Sequence, residues 1–102
     1  MNIEEAREFC LSVKGARESL PFDETTLVFK VMDKMFAYMS IEPSDGFRIN
    51  LKCDPERAVE LRERYNGVIP GYHSNKKYWN TVYLESDVSD KEIKELIQHL
   101  LS

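Results

Sequence analysis

The sequence of 102 residues is poor in the residues that define disulfide-rich, metal-binding and membrane proteins. It has two cysteines, and Cys10 and Cys53 have neither metal-ligand nor redox-motif spacing, so we expect buried, reduced thiols. No apolar run approaches the roughly 20 residues that a membrane span needs. The acidic beginning of the chain lacks an apolar signal-peptide core. We therefore expect a cytoplasmic protein without a membrane partner.

The sequence also lacks the groupings that catalysis and metal binding require. Its two histidines, His73 and His99, lie far apart, and neither has a carboxylate or thiol at ligand spacing. There is no nucleophile motif and no glycine-rich phosphate loop. His73 precedes Ser74, but adjacent side chains diverge, so a hydrogen bond that anchors a loop is favoured over acid-base catalysis. We expect no enzymatic activity, no metal and no cofactor.

The composition that remains is that of one globular domain, with 42% hydrophobic and 31% charged residues. The net charge of −4 argues against indiscriminate nucleic-acid binding, but the charge is unevenly distributed. Residues 47–80 carry seven basic and four acidic residues, whereas the segments on both sides are acidic. Because salt limits electrostatic reach to about 10 Å, we expect the anion-facing surface within residues 47–80.

Three segments combine helical periodicity with a start signal, and the first two also have a stop signal. The start signals are Asn2 with Glu5, Asp54 with Pro55, and Ser89 with Glu92, and the stop signals are Gly15 and Asn66 with Gly67. We interpret the arginines of the second helix, Arg57, Arg62 and Arg64, as partners in ordinary surface ion pairs.

The apolar period changes to two between the first and second helices, which predicts β-strands. Two β-rich runs separated by Asp33 and Lys34 indicate a hairpin, and the alternation over residues 47–53 predicts a third strand. Residues 81–85 predict a fourth strand, with Trp79 as an alternative first residue. Residues 16–25 are predicted to be a loop that Leu20 and Phe22 anchor against the sheet. The expected fold class is α+β, with an antiparallel three-stranded meander plus a later strand and helices packed on one face.

The sheet face away from the helices is predicted to be polar, basic and partly aromatic. It would present Lys30, Tyr38, Arg48, Asn50, Lys52 and Tyr83.

The segment from Val68 to Thr81 is the strongest candidate for function. It combines the only tryptophan with tyrosines, a histidine and a lysine pair, and it contains no acidic residue. Lys76 and Lys77 are either phosphate ligands or solvated side chains. Trp79 is either a stacking group or a core residue, and its alternation with Val82 favours burial.

A long and specific set of residues resembles the MmcQ/YjbR family of small bacterial proteins over nearly the whole chain. The matching residues are Pro21–Phe22, Leu27–Val31, Lys34–Ala37, Asn50–Pro55, Leu61–Tyr65, Pro70–His73, Asn75–Lys77 and Trp79–Leu84. The resemblance implies a CyaY-like fold, described as a double wing, and DNA binding without a catalytic residue set. Ser74 and Tyr78 depart from the family pattern, in which methionine and histidine are frequent at these positions.

Two classes of function follow. A DNA-binding protein would use Lys30, Arg48, Asn50, Lys52, Tyr72, His73, Asn75, Lys76, Lys77, Tyr78, Trp79 and Asn80. A binding module would instead hold a small anionic or aromatic ligand in a pocket lined by Tyr72, Trp79 and Asn80, or would pair an exposed strand edge with a protein partner. The expected oligomeric state is a monomer or a weak homodimer.

Overall fold

The computed structural model describes residues 1–42, 46–71 and 74–99. It contains the helices α1 (Ile3–Ser12), α2 (Pro55–Arg64) and α3 (Asp90–His99), and the strands β1 (Arg17–Ser19), β2 (Thr26–Val31), β3 (Lys34–Ser40), β4 (Arg48–Lys52), β5 (Val68–Pro70) and β6 (Trp79–Tyr83). No helix within the described ranges is long and apolar enough to cross a membrane.

The strands form one antiparallel sheet in the order β1-β2-β3-β4-β6-β5. The predicted α+β class, the meander β2-β3-β4 and the later strand β6 are confirmed. Two strands were not predicted: β1 lies in the expected loop, and β5 lies at the start of the segment from Val68 to Thr81. Each has three residues, too few to show a period of two, and each forms only because a long neighbouring strand supplies hydrogen-bond partners.

The two faces of the sheet have different neighbours, because directly paired residues on antiparallel strands share a face. The helix face carries the core residues Phe29, Ala37, Met39, Ile49, Leu51, Val68 and Val82, which cluster with Ala6 and Cys10 of α1 and with Ile93, Leu96 and Ile97 of α3. On α2, the Ala58 carbonyl accepts a hydrogen bond from Asn80 of this face. The predicted packing of the helices on one face is therefore confirmed.

Local hydrogen bonds explain the helix starts. The Asn2 side chain accepts from the backbone N–H of Glu5 at 2.8 Å, and the Glu5 carboxylate accepts from the N–H of Asn2 at 3.1 Å. The Ser89 hydroxyl likewise accepts from the N–H of Glu92 at 3.2 Å. Asp54 precedes α2 as predicted but makes no side-chain capping bond, so Pro55 is the effective start signal.

The β2-β3 hairpin turns one residue earlier than predicted. Its central residues are Met32 and Asp33, with φ angles of 53° and 64°, and Val31 pairs with Lys34. Positive φ at both central residues matches the twist of a two-residue hairpin, so turn geometry decides the position over residue preference. Met32 is consequently 89% exposed at the tip.

The predicted anchoring of residues 16–25 by Leu20 and Phe22 is wrong. These side chains are 49% and 70% exposed. The loop is held by the Asp23 carboxylate, which accepts hydrogen bonds from the backbone N–H groups of Thr25 at 2.8 Å and Thr26 at 2.7 Å. These bonds also lower the pKa of Asp23.

The two cysteines are free and buried, as expected. Burial raises the pKa of the Cys10 thiol to about 12 and raises that of Cys53 as well. Both are therefore protonated near neutral pH, which suits a packing role.

Candidate nucleic-acid interface on the open face of the sheet

The face opposite the helices, called the open face, has charge of one sign in its strands. Its side chains belong to Arg17, Ser19, Thr26, Val28, Lys30, Met35, Tyr38, Ser40, Arg48, Asn50, Lys52, Ile69, Trp79, Thr81 and Tyr83. Four of these residues are cationic and none is acidic. The predicted basic character of this face is therefore present, with Arg17 as an addition.

Arg17 was missed because sequence reasoning placed it in a loop. In the structure it is paired across the strands with Lys30, so both side chains project from the same face. Neither residue belongs to the basic segment 47–80. The only local signal is the short alternation of Arg17 and Ser19 with Glu18, which three residues cannot establish.

Arg48 and Lys52 lie at opposite ends of β4. Lys52 is exposed and pairs with Trp79, while Arg48 pairs with Tyr83. The Arg48 guanidinium lies 5.9 Å from the centre of the Tyr83 ring and donates a hydrogen bond to the Tyr83 hydroxyl at 3.4 Å. Both side chains are half-buried. This contact combines a cation with a flat ring at the edge of the open face.

Between these ends, the open face has a buried polar floor. The Thr81 hydroxyl donates to the Asn50 side-chain oxygen at 2.5 Å, and the Asn50 amide donates to the Tyr38 carbonyl at 3.3 Å. Asn50 is 6% exposed and Thr81 is fully buried. Asn50, a predicted ligand-binding residue, is therefore engaged in joining β3, β4 and β6.

Trp79 is 8% exposed, which confirms the burial that its position in a strand favoured. Its ring centre lies 5.3 Å from that of Tyr38, at an interplanar angle of 56°. Burial raises the pKa of Tyr38, and the nearby Ser74 hydroxyl acts in the opposite direction. The tryptophan thus supports the surface from below, and stacking on a ligand would require it to move.

The connection between β5 and β6 brings the backbone unusually close to Trp79. The N–H of Gly71 donates to the Trp79 carbonyl at 2.8 Å. A Cβ atom on Gly71 would lie 2.7 Å from the Trp79 Cβ and 2.9 Å from its carbonyl oxygen. Position 71 therefore requires glycine, because a larger side chain would overlap with Trp79. Tyr72 and His73, both predicted site residues, lie outside the described residues.

Residues 74–78 form the basic turn before β6. The Asn75 side chain accepts from the N–H of Lys77 at 3.0 Å, and its carbonyl accepts from the N–H of Tyr78 at 3.1 Å. Lys76 and Lys77 are exposed, with the Lys76 ammonium donating to the Gly71 carbonyl at 3.3 Å. The Lys77 ammonium lies 5.5 Å from the centre of the Tyr78 ring, which is 39% exposed. The turn therefore presents two cations and one ring to solvent.

Arg62 of α2 holds this basic turn in place. Its Nε donates to the Asn80 side-chain oxygen at 2.6 Å, and its Nη2 donates to the carbonyls of Trp79, at 3.3 Å, and Lys76. The interpretation of Arg62 as a surface ion-pair partner is therefore wrong. Arg62 and Lys76 are 14 residues apart, with β5 between them, and no local sequence pattern links a helix to this turn over that distance, so only the tertiary structure shows the contact.

Of the three residues predicted to line a ligand pocket, Tyr72 lies outside the described residues, and Trp79 and Asn80 do not face the same side of the sheet. Successive residues of β6 point to opposite faces. Trp79 lies on the open face, whereas Asn80 is 2% exposed on the helix face, where its amide donates to the Ala58 carbonyl at 3.2 Å. Asn80 thus positions α2 against the sheet and does not line the open face.

The outer strands of the sheet are poor templates for a pairing partner. The edges are formed by β1 and β5, each three residues long. Pro70 removes a backbone donor from β5, and Arg17 with Glu18 places charges on β1, both of which disfavour strand addition. Within residues 1–42, 46–71 and 74–99, no group of three or more His, Cys, Asp or Glu residues could hold a metal ion.

Comparison with known proteins assigns the family. A family model described as YjbR matches residues 11–99. The uncharacterized protein YjbR of Escherichia coli K12 is 35% identical over 97 residues, which cover 95% of this chain and 81% of that protein. The uncharacterized protein YyaQ of Bacillus subtilis 168 is 42% identical over 50 residues, which cover 49% of this chain and 42% of that protein.

Two solved structures agree in fold. A Deinococcus radiodurans protein with a DUF419 domain superposes with a TM-score of 0.87 at 39% identity, covering 97% of this chain and 75% of that one. A Pseudomonas syringae protein superposes with a TM-score of 0.83 at 27% identity, covering 98% of this chain and 96% of that one. Since the sequence match and the fold agree over nearly all of its length, the chain belongs to the YjbR family.

Proposed function

We propose that this protein is a non-enzymatic DNA-binding protein that holds the phosphate backbone on the open face and the basic turn of residues 74–78. The observation that carries the proposal is the separation of charge. The strands place four cations and no carboxylate on the open face, although the whole chain has a net charge of −4.

The cations are arranged to act together. Lys52 pairs with Trp79, and the turn that carries Lys76 and Lys77 leads directly into that residue. Three exposed ammonium groups therefore lie near one end of the sheet. Each lysine that neutralises a phosphate releases condensed counterions, which supplies sequence-independent affinity.

Partly exposed tyrosines provide a second kind of contact. Tyr83 lies beneath the Arg48 guanidinium, and Tyr78 lies near the Lys77 ammonium. Rings beside cations suit sugars and unstacked bases, which approach once the phosphates are held. The buried floor of Asn50 and Thr81 keeps the strands rigid under these groups.

The acidic helix side would face away from the nucleic acid and so orient the protein on it. The three helices contain nine acidic and six basic residues, so this side repels phosphate. A net acidic protein can bind a polyanion when its cations occupy one face, because screening separates the two sides.

The proposal is tested by fluorescence anisotropy of labelled duplex and single-stranded DNA, from low to physiological salt. We expect an affinity that falls linearly with salt on a logarithmic plot, and loss of binding in the double variant Lys76→Glu with Lys77→Glu. The matched control is Lys91→Glu with Lys94→Glu, which makes the same charge change on exposed positions of α3 and should retain most binding.

Circular dichroism of both double variants establishes that they are folded. Absence of binding by the unaltered protein at low salt, or unchanged binding by the folded Lys76→Glu, Lys77→Glu variant, would refute the proposal.

A further inference from the structure

We propose that the groove between β1 and the β2-β3 hairpin, at the edge of the open face away from the basic turn, is a phosphate-binding site in its own right. The groove has a volume of about 600 Å³ and is lined by Gly15, Arg17, Glu18, Ser19, Lys30, Met32 and Asp33. It lies at the β1 edge of the sheet, and β2, β3 and β4 separate β1 from β6 and the basic turn that precedes it. The inference does not depend on DNA binding by that turn.

Two cations repel each other at this edge of the sheet. Arg17 and Lys30 are direct cross-strand partners, and like charges in this position destabilise a sheet. The strands supply no carboxylate on the same face to offset the repulsion. A bound anion would remove it, and a phosphate accepts hydrogen bonds from both a guanidinium and an ammonium.

The Arg7–Glu18 ion pair removes one of the carboxylates that would compete with a phosphate. Glu18 lies on the other face of β1 and accepts from Arg7 of α1, with Nε donating to Oε2 at 2.7 Å and Nη2 donating to Oε1. This pairing raises the pKa of Arg7. Once the Arg7–Glu18 pair is set aside, the charged groups of the lining are two cations and the Asp33 carboxylate.

The groove also has room for a ligand beside Gly15 and Met32. Gly15 has a φ angle of +80°, and a Cβ atom built on it would meet nothing within 4 Å. Met32 extends from the hairpin turn with 89% of its surface exposed. The lining therefore combines two cations and the Asp33 carboxylate with the open backbone of Gly15 and the apolar side chain of Met32, which suits a phosphate ester better than a bare ion.

The phosphate could belong to the backbone of a nucleic acid or to a small phosphorylated compound, and both offer the same chemistry to Arg17 and Lys30. The test uses ¹⁵N-labelled protein titrated with inorganic pyrophosphate, adenosine 5′-monophosphate and adenosine. We expect pyrophosphate and the monophosphate, but not adenosine, to shift the backbone amide signals of Gly15, Arg17 and Lys30.

The double variant Arg17→Gln with Lys30→Gln should weaken this binding at least about tenfold, since each lost charge removes a charge-assisted hydrogen bond. Lys91→Gln with Lys94→Gln, which has the same net charge, should bind as the unaltered protein does. Lys30→Gln alone should raise the melting temperature of the phosphate-free protein by about 1–5 °C by relieving the repulsion. Added pyrophosphate should raise the melting temperature of the unaltered protein more than that of this variant.

The outcomes separate the two proposals. Groove shifts with the monophosphate but no DNA binding would support this site, identify a small phosphorylated compound as its ligand and refute the proposed function. Groove shifts with both probes and weaker DNA binding by the groove variant would assign the nucleic-acid backbone. No groove shift with pyrophosphate or the monophosphate up to about 10 mM would overturn the inference, even if DNA binding at the basic turn is confirmed.

Discussion

The two faces of the sheet use buried polar groups for different purposes. On the helix face, Asn80 and Arg62 connect α2 to β6 and to the basic turn. On the open face, Asn50 and Thr81 join three strands with neutral hydrogen bonds and leave the cations at the periphery. One face thus fixes the position of the basic turn, and the other forms a rigid platform beneath the proposed ligand.

The helix side and the open face also differ in charge. The helices have more carboxylates than cations, and the open face has cations alone in its strands. The acidic surface comes from the helices and the basic surface from alternate residues of the strands, so different elements build the two surfaces of opposite charge. Net charge therefore predicts the binding behaviour of neither face.

The largest expected effect tests the connection between the faces. Replacing Arg62 with Met should lower the free energy of unfolding by about 2–3 kcal/mol, because Asn80 and two backbone carbonyls lose a charged donor. It should also weaken DNA binding by displacing the basic turn. Urea denaturation and anisotropy measure the two effects. Arg64→Met, on the exposed end of α2, is the control, and an equal loss in both variants would contradict the specific role of Arg62.

The next effect tests the polar floor. Thr81→Val keeps the shape of the side chain but leaves the Asn50 oxygen without the Thr81 donor, so it should cost about 1–3 kcal/mol of unfolding free energy. Thr81→Ser retains the hydroxyl and should lose less. Chemical denaturation of both variants checks the prediction, which fails if the serine variant is the less stable one.

We expect Asp87 to make the stability of the protein depend on pH. This residue follows β6 and contacts the residues that follow α2. The Asp87 carboxylate accepts from the N–H groups of Asn66 at 2.8 Å and Gly67 at 2.7 Å, and these bonds lower the pKa of Asp87. Its contribution to stability is thus complete above the unfolded-state pKa of about 3.9 and is lost as the pH falls through the lower folded-state pKa.

Asp87→Asn should consequently show a shallower decrease in stability than the unaltered protein between about pH 5 and pH 2. Glu60→Gln, on an exposed position of α2, controls for the change in net charge. Thermal unfolding across this pH range is the measurement. Parallel curves for the unaltered protein and Asp87→Asn would show that the two backbone bonds contribute nothing to acid stability.

The smallest effect sharpens the contrast in charge. Lys52→Gln should reduce the slope of the logarithmic salt dependence of DNA binding by about one unit, because one phosphate contact is lost. Lys94→Gln, an exposed lysine of α3, should leave the slope unchanged. Anisotropy titrations at several salt concentrations give both slopes. If the α3 variant changes the slope as much as Lys52→Gln, the two faces do not differ in the way proposed.

Much of the fold followed from local patterns. The cap formed by Asn2 and Glu5, Pro55 at the start of α2, and the alternation in β4 each depend on residues close in sequence, so the sequence predicts them. Local sequence patterns did not predict the short strands β1 and β5, because the stability of these strands comes from hydrogen bonds to neighbouring strands. The position of the hairpin turn was also missed, since the positive φ angles at Met32 and Asp33 are imposed by strand pairing.

The candidate site divides in the same way. The sequence by itself determined the basic turn, the alternation of Arg48, Asn50 and Lys52, and membership of a recognisable family, because each is written in consecutive or regularly spaced residues. The tertiary structure alone decided that Arg17 stands opposite Lys30 and that Arg62 holds the basic turn. The physical reason is that strand register and helix packing bring together residues that are distant in sequence, and no local period records which distant partner each will meet.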